Sequence, residues 1–358
     1  MPEVITFHQA LEDSADCAKR NLLLGNGFSI ACEPEIFHYG SLFGQADFSA
    51  IPEARRAFEV LGTQDFEIVI RALEQGSQLN QIYTPGDPAA AQRMALHAAQ
   101  LKELLVATVA HNHPARPGDI ADARFEACRR FLAHFLAGDN HGRVYTLNYD
   151  LLLYWALMHD DNHFEDKPTN IVTIDGFGED EDDPEADYVI WKAESTANHQ
   201  SVHYLHGALH LYDSGSELKK YTWIRSGLPL VDQARTAITA GLYPVFVSEG
   251  DSDSKLTKIR HCAYLQHSYK SFHTVMGSAN QALFIYGHSL AHNDDHVLSR
   301  IGRGKCQKVY ISLYGDPDSQ ANQAIALRAQ QIAATRSPRN PMNVAFFDAS
   351  SANVWGDT

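Results

Sequence analysis

Short apolar runs, each closed by small, polar or ionisable residues, recur along this chain. The first, Leu22-Leu23-Leu24, is too brief for a helix and suits a strand buried on both faces. It stops at Gly25-Asn26-Gly27-Phe28-Ser29, where two glycines one residue apart force a tight turn of bare backbone ahead of a helix start. Residues 143–147 end in Asn148-Tyr149-Asp150, 201–205 in His206-Gly207, 244–247 in Ser248-Glu249-Gly250, and 283–286 in Gly287-His288-Ser289. A sixth run, 308–313, ends in Tyr314-Gly315-Asp316, and 343–347 reads as an edge strand. In an open parallel sheet the carboxyl ends of the strands share one edge, and ligands bind where the strand order reverses. The pattern therefore predicts that the first five runs deliver their chemistry to one rim.

Between these runs the spacing turns helical. Residues 5–19 read as a leading helix with Phe7, Leu11 and Ala15 on one side, and 36–48 as an aromatic loop packed at the pocket. From 52 to 138 apolar residues recur at three and four, as in Met94, Ala98, Leu101 and Leu105. Pro52 opens one helix there and Gly62 closes it; 65–75 is closed by Gly76, 89–110 is rich in Ala and Leu, and 120–137 lies between Asp119 and Gly138. Further helices are predicted after Asp150, over 232–240, as one long helix over 251–277, from Asp295, and over 321–334. Strand and helix alternate, so the fold class is α/β: a doubly wound parallel sheet, Rossmann-like, with a helical insertion after the first strand. Residues 1–51 and 139–358 then make the sheet domain, and 52–138 the insertion, whose simplest role is to cover a sheet face.

Composition narrows the partners. A formal charge of −15 argues against non-specific nucleic-acid binding and against adhesion to anionic membranes, both of which need a basic face. The basic cluster Arg300, Arg303, Lys305 and Lys308 reads as a solvated face. Cys17, Cys32, Cys128, Cys262 and Cys306 form no CxxC pair, so they read as reduced core thiols rather than a zinc site. No apolar stretch reaches membrane-spanning length and no signal peptide opens the chain, which points to the cytoplasm. Seven acids within 179–187 lack the alternation and central glycine of a calcium loop; they read as an exposed loop, with a hairpin near 171–174.

The strand ends carry the candidate chemistry. A strand, a Gly-rich turn and a helix start together form an anion cradle, although GNGFS also suits an ordinary turn. Asn148 and Asp150, two apart beyond a strand, share one face; they can grip ribose hydroxyls or hold a water, or they can cap a turn and a helix. His206 before Gly207 suits a general base, since imidazole titrates near neutrality and glycine leaves room for substrate. Gly287, His288 and Ser289 form a second small turn able to approach an adenosine or a phosphate, with Asn293, Asp294, Asp295 and His296 within reach of it. Those last residues are also metal-ligand types, but their spacing matches no two-metal phosphoesterase pattern. Asp65 and Glu67 read as favourable charge at a helix start, with Glu67 able to face the pocket.

Taken in order, GNGFS, TLNYD, YLHG and GHSL resemble the motif series of the sirtuin-like NAD-binding domains, in particular bacterial sirtuin-like NAD-hydrolysing effectors of phage defence. The resemblance spans roughly residues 20–316. It implies that Gly25, Asn26, Gly27, Phe28 and Ser29 line the NAD phosphates and ribose, that Asn148 and Asp150 hold the nicotinamide ribose and the attacking water, and that His206 is the catalytic histidine. Gly287, His288, Ser289 and Asp294 fall on the adenosine side. Two departures set deacylation aside: the four-cysteine zinc ribbon is missing, and Glu33-Pro34-Glu35-Ile36-Phe37 replaces an Asp-Phe-Arg segment. In addition, Asn26 stands where that family has alanine. The expected activity is cleavage of NAD, as substrate and without a metal, to nicotinamide and ADP-ribose. The alternatives are a sensor that binds NAD or ADP-ribose without turnover, and an ADP-ribosyltransferase. An effector of this kind is held inactive until triggered, which implies an activating protein partner or a change of state in a homo-oligomer.

Overall fold

The computed structural model describes residues 3–37, 43, 46–62, 66–84, 86, 88–114, 116–139, 141–159, 171, 173–193, 199–214, 217–221, 232, 244–247 and 252–356. The core is a parallel sheet of seven strands: β1 (Val4–Ile5), β2 (Lys19–Leu24), β3 (His141–Thr146), β6 (Val202–Tyr204), β10 (Gln281–Tyr286), β11 (Lys308–Leu313) and β12 (Asn343–Asp348). Their spatial order is β1-β12-β11-β10-β2-β3-β6, and every pairing is parallel. From β2 the chain steps outward through β3 to β6, then crosses back to β10 and continues through β11 to β12 on the other side. The arrangement is a mixed α/β one compatible with a Rossmann-like fold. Its order reverses between β2 and β10, where the apolar runs stack Leu283, Phe284 and Ile285 beside Asn21, Leu22 and Leu23.

Both faces of the central strands are dry, as their unbroken apolar runs require. Leu22, Leu23, Leu24 and Phe284 are fully buried. The helix α1 (Phe7–Asp13) follows Thr6, whose hydroxyl accepts from Gln9 N–H while the Gln9 side chain bonds back. That helix lays Phe7 against Phe131, Phe135, Phe284 and Phe347, with ring centroids 5.3–6.3 Å apart. Phe131 and Phe135 belong to Asp122–Leu136, the last of the helices between β2 and β3, which covers those two strands. The others in this stretch include Pro52–Leu61, Phe66–Tyr83 and Pro88–Asn112. Among the described residues, no helix is long and apolar enough to cross a membrane.

Several expectations shift. Pro244–Phe246 is a strand, but it does not join the parallel sheet. It is β9 of a second, antiparallel sheet with β4 (Phe177–Gly178), β5 (Tyr188–Trp191), β7 (Gly207–Asp213) and β8 (Leu218–Tyr221), in the order β4-β5-β8-β7-β9. Gly207, with φ +75°, turns the chain after β6 into β7, which pairs with β8 on one side and β9 on the other. Gly76 does not end its helix, which runs on to Tyr83. A side chain there would come within 3.2 Å of Met94 Sδ, so the glycine serves the packing of two helices. The long helix breaks into Ser252–His261 and Ala263–Met276, because Cys262 is extended (φ −101°, ψ 123°). The leading helix is shorter than expected and β2 begins earlier, its polar Asn21 being satisfied by Gln281 and the Ala282 carbonyl. The expected helix over 232–240, the polar end 248–250 and Asp65 lie outside the described residues, as does part of the 171–174 hairpin. Cys17, Cys32, Cys128 and Cys306 are buried thiols and Cys262 is half-buried.

Packing and burial yield two predictions. Phe284→Ala removes the ring shared by Phe7, Phe135 and Tyr310, and is expected to cost about 3–5 kcal/mol in urea unfolding. Leu327→Ala, 58% exposed, stays within about 0.5 kcal/mol. His210 is 2% exposed and stacks on Tyr154, with neither ring nitrogen hydrogen-bonded. Burial, helped by the Lys220 charge, holds it well below its ordinary range. The unfolded imidazole takes up a proton below about pH 6.5 and the folded one does not, so this contribution to stability is lost as pH falls through that region. His210→Phe should therefore raise the melting temperature, and the gain should widen from pH 7 to pH 5.

Candidate functional site

Two turns meet at the reversal point. Gly25 N–H donates to the Tyr286 carbonyl (2.9 Å) and Gly27 N–H to the Gly287 carbonyl (2.8 Å), which stitches the end of β2 to the end of β10. A Cβ on Gly27 would lie 2.5 Å from Gly287 Cα, and one on Gly25 would lie 2.7 Å from the Gly287 carbonyl oxygen. Gly287 itself has φ +68°, and its N–H is held by Ser312 Oγ at 2.9 Å. Asn26 donates to the Phe37 carbonyl (3.0 Å), which folds the short helices Gly27–Cys32 and Pro34–Phe37 over the turn. Phe28 points away from the opening. It is fully buried against Trp355, whose indole N–H donates to the Phe28 carbonyl at 2.8 Å.

Beyond β3 the amide and the carboxylate converge on one hydroxyl. Asn148 Nδ2 donates to the Gly25 carbonyl (3.0 Å) and to Ser29 Oγ (2.9 Å), and Ser29 in turn donates to Asp150 Oδ2 at 2.5 Å. Asp150 Oδ1 accepts Leu152 N–H at 2.9 Å, so the helix-start role and the site role coexist in one side chain. Burial raises the Asp150 carboxyl above its ordinary value, against the opposing hydrogen bonds from Ser29 and Leu152. Ser29 is fully buried and reaches the opening only through its two partners, whereas Asn148 and Asp150 line it.

His206 sits where β6 gives way to Gly207, and its carbonyl accepts Val247 N–H at 2.8 Å. Its Nε2 lies 3.0 Å from His296 Nε2 and 3.9 Å from Asp294 Oδ1. Burial drives His206 well below its ordinary range; Asp294 opposes this, and Lys255, His296 and His288 add to it. The ring is therefore neutral at pH 7. Asp294 is the hub of this group. Burial pushes its carboxyl up, but the His288 hydrogen bond, the neighbouring His206 ring and the Lys255 charge outweigh it and hold Asp294 well below the carboxylate range. His288 accepts Leu290 N–H at Nδ1 (2.9 Å), so its Nε2 carries the proton and donates to Asp294 Oδ2 at 3.0 Å. Lys255 Nζ is 3.1 Å from Asp294 Oδ1.

These groups face one cleft of about 980 Å³, lined by Gly25, Asn26, Gly27, Asn148, Asp150, His206, Gly287, His288, Ser289 and Asp294, among others. Of the residues singled out in sequence, Phe28, Ser29, Asp295 and His296 are not on its wall. The side chain of Glu67 lies outside what is described. The cleft also takes Lys255, Tyr314, Asn322, Ser350, Asn353 and Trp355, which the motifs did not select. Tyr314 already closes the sixth apolar run, and Ser350 follows β12, where the same strand-end pattern could have found it. Asn353 and Trp355 left no such signal. Among the described residues, His206, Asp294 and His296 bring one ligand atom each within 4.8 Å of one another, a nitrogen–nitrogen–oxygen set of the kind that holds first-row divalent cations.

The glycine contact can be tested by a matched pair. Gly287→Ala and Gly315→Ala both place a side chain at positive φ (+68° and +71°), but only the first meets backbone, 2.5 Å away. Gly315→Ala should cost about 1–2 kcal/mol. Gly287→Ala should cost at least 1 kcal/mol more in urea unfolding, because the two turns must part.

Comparison with curated proteins gives no match. A family model described as a domain of unknown function, DUF4917, matches residues 22–355, from within β2 to the indole that seals the glycine turn. That span takes in the cleft from Gly25 to Trp355, and the chain belongs to the DUF4917 family.

Proposed function

We propose that the protein is an NAD glycohydrolase, cleaving NAD with water to nicotinamide and ADP-ribose. One observation carries the reading: a glycine turn, an amide–carboxylate couple and a neutral imidazole face a single cleft at the point where the strand order reverses. In this reading the sheet is doubly wound and the helices between β2 and β3 form an insertion over residues 52–138. Such crevices take dinucleotides, because bare backbone at the turn lets phosphates approach. The sirtuin-like motif order, with its zinc ribbon missing, points to the same substrate and away from peptide deacylation. A cytoplasmic setting, an activating partner and a homo-oligomer go with the reading, and it includes no resident metal.

The chemistry follows from which atoms remain open. Both Asn148 amide hydrogens are committed, to Gly25 and to Ser29, so the side chain meets a ligand through its Oδ1 acceptor. Asp150 fixes Ser29, and Ser29 fixes the amide. The bond from ribose C1′ to nicotinamide breaks with its electron pair going to the departing ring nitrogen. Water adds to C1′ and its proton leaves to solvent. Fixed dipoles on the cleft wall stabilise the oxocarbenium-like charge. Asn148 orients the water or a ribose hydroxyl, and His206 polarises it.

Purified protein incubated with NAD should release nicotinamide, followed by chromatography. Asn148→Ala and His206→Ala should each lower kcat about 10²–10⁴-fold while NAD still binds by calorimetry. Tight binding with no product over hours would make the protein a sensor, and label transferred from NAD to a macromolecule would make it a transferase. Wild-type rates in both variants would end the assignment.

A further inference from the structure

We propose that His296 is a positioning residue that fixes the tautomer and ring plane of His206, so that His206 meets the substrate as a hydrogen-bond donor. This rests on the NAD-cleaving reading of the cleft. The two imidazoles meet Nε2 to Nε2 at 3.0 Å, with ring planes 18° from parallel and centroids 5.1 Å apart. That is the geometry of an in-plane hydrogen bond, which needs one nitrogen protonated and the other bare.

The surroundings decide which is which. His296 is 4% exposed, and its Nδ1 is buried with no hydrogen-bond partner. An orphaned buried N–H is rarer and costlier than a bare acceptor in the same place. His296 therefore carries its proton on Nε2 and donates it to His206. His206 accepts at Nε2, carries its own proton on Nδ1, and has that nitrogen left for the cleft it lines. The His296 backbone is anchored as well, since Tyr269 OH donates to its carbonyl at 2.8 Å and Arg300 Nε holds Tyr269 at 2.7 Å. The charged and titratable groups around the pair are Asp294, Asp295, Lys255 and His288.

The same three side chains could be read as a cation site, and two contacts weigh against that. Asp294 already has Lys255 on Oδ1 and His288 on Oδ2. A metal-bound His296 would also have to carry its proton on Nδ1, where no acceptor stands to receive it, whereas ligating histidines nearly always donate that proton.

Nitrogen-15 spectra of histidine-labelled protein report each tautomer without substrate, with His206 and His296 identified by the signals lost in His206→Ala and His296→Leu. We expect His206 protonated on Nδ1 and His296 on Nε2, with His206 losing its single tautomer in His296→Leu. His296→Leu should lower kcat about 10–100-fold, the scale of lost orienting contacts, with KM little changed. His296→Gln, which keeps an N–H donor, should recover most of that loss. His206 protonated on Nε2 in the wild type would overturn the proposal. So would stoichiometric zinc binding by calorimetry that disappears in His296→Leu. The spectra need no turnover, so they stand or fall apart from NAD hydrolysis itself.

Discussion

Close approach of two pieces of backbone governs this molecule. The ends of β2 and β10 come together at Gly25, Gly27 and Gly287 so tightly that no side chain fits between them. Parallel pairing sets the register of the two strands, and the glycines let the turns beyond them touch. Everything that faces the cleft is placed relative to this seam. Asn148 reads its position from the Gly25 carbonyl, Ser312 holds the Gly287 amide, and Trp355 seals the far side through Phe28. The constraint is steric before it is chemical, since a hydrogen-bond partner can be replaced but a missing Cβ cannot.

The cleft wall is built at an electrostatic cost. Asp294, Lys255, His206, His288 and His296 gather in a space with little water, where an unpaired charge is expensive. The arrangement tolerates this by pairing one carboxylate with one ammonium and keeping His206 and His296 neutral. Asp150 is the counter-example, a buried carboxylate steadied by a hydroxyl and an amide and, among the described residues, by no cation, so that burial raises it. Such groups are retained in functional sites more readily than in plain cores.

What the sequence disclosed follows physical range. Six of the seven parallel strands were visible as short apolar runs, and their polar ends were visible because chemistry collects there; β1, two half-buried residues long, was lost in the start of the leading helix. The convergence of Asn148 and Asp150 on Ser29 was half legible: two-residue spacing puts both on one face, but nothing local says that a serine from another strand end waits between them. The second sheet was hidden, since β4 is only two residues long, β9 reads as one more strand of the parallel sheet, and Gly207 looks like a place for substrate before it looks like a hinge of topology. His296 was visible as a polar residue within reach of the Gly287 turn, but its role was hidden for a different reason. It follows a run of polar residues in a chain with 19 histidines, and its value comes from a ring ninety positions earlier.

The Val247-to-His206 hydrogen bond has a mechanical meaning. It fastens the rim of one sheet to the chain segment that leaves the other, with Gly207 as the pivot between them. The backbone beneath the imidazole is thus tied to both sheets at once, through β6 on one side and the end of β9 on the other. The ring's placement depends on the docking of the smaller sheet as well as on its own strand.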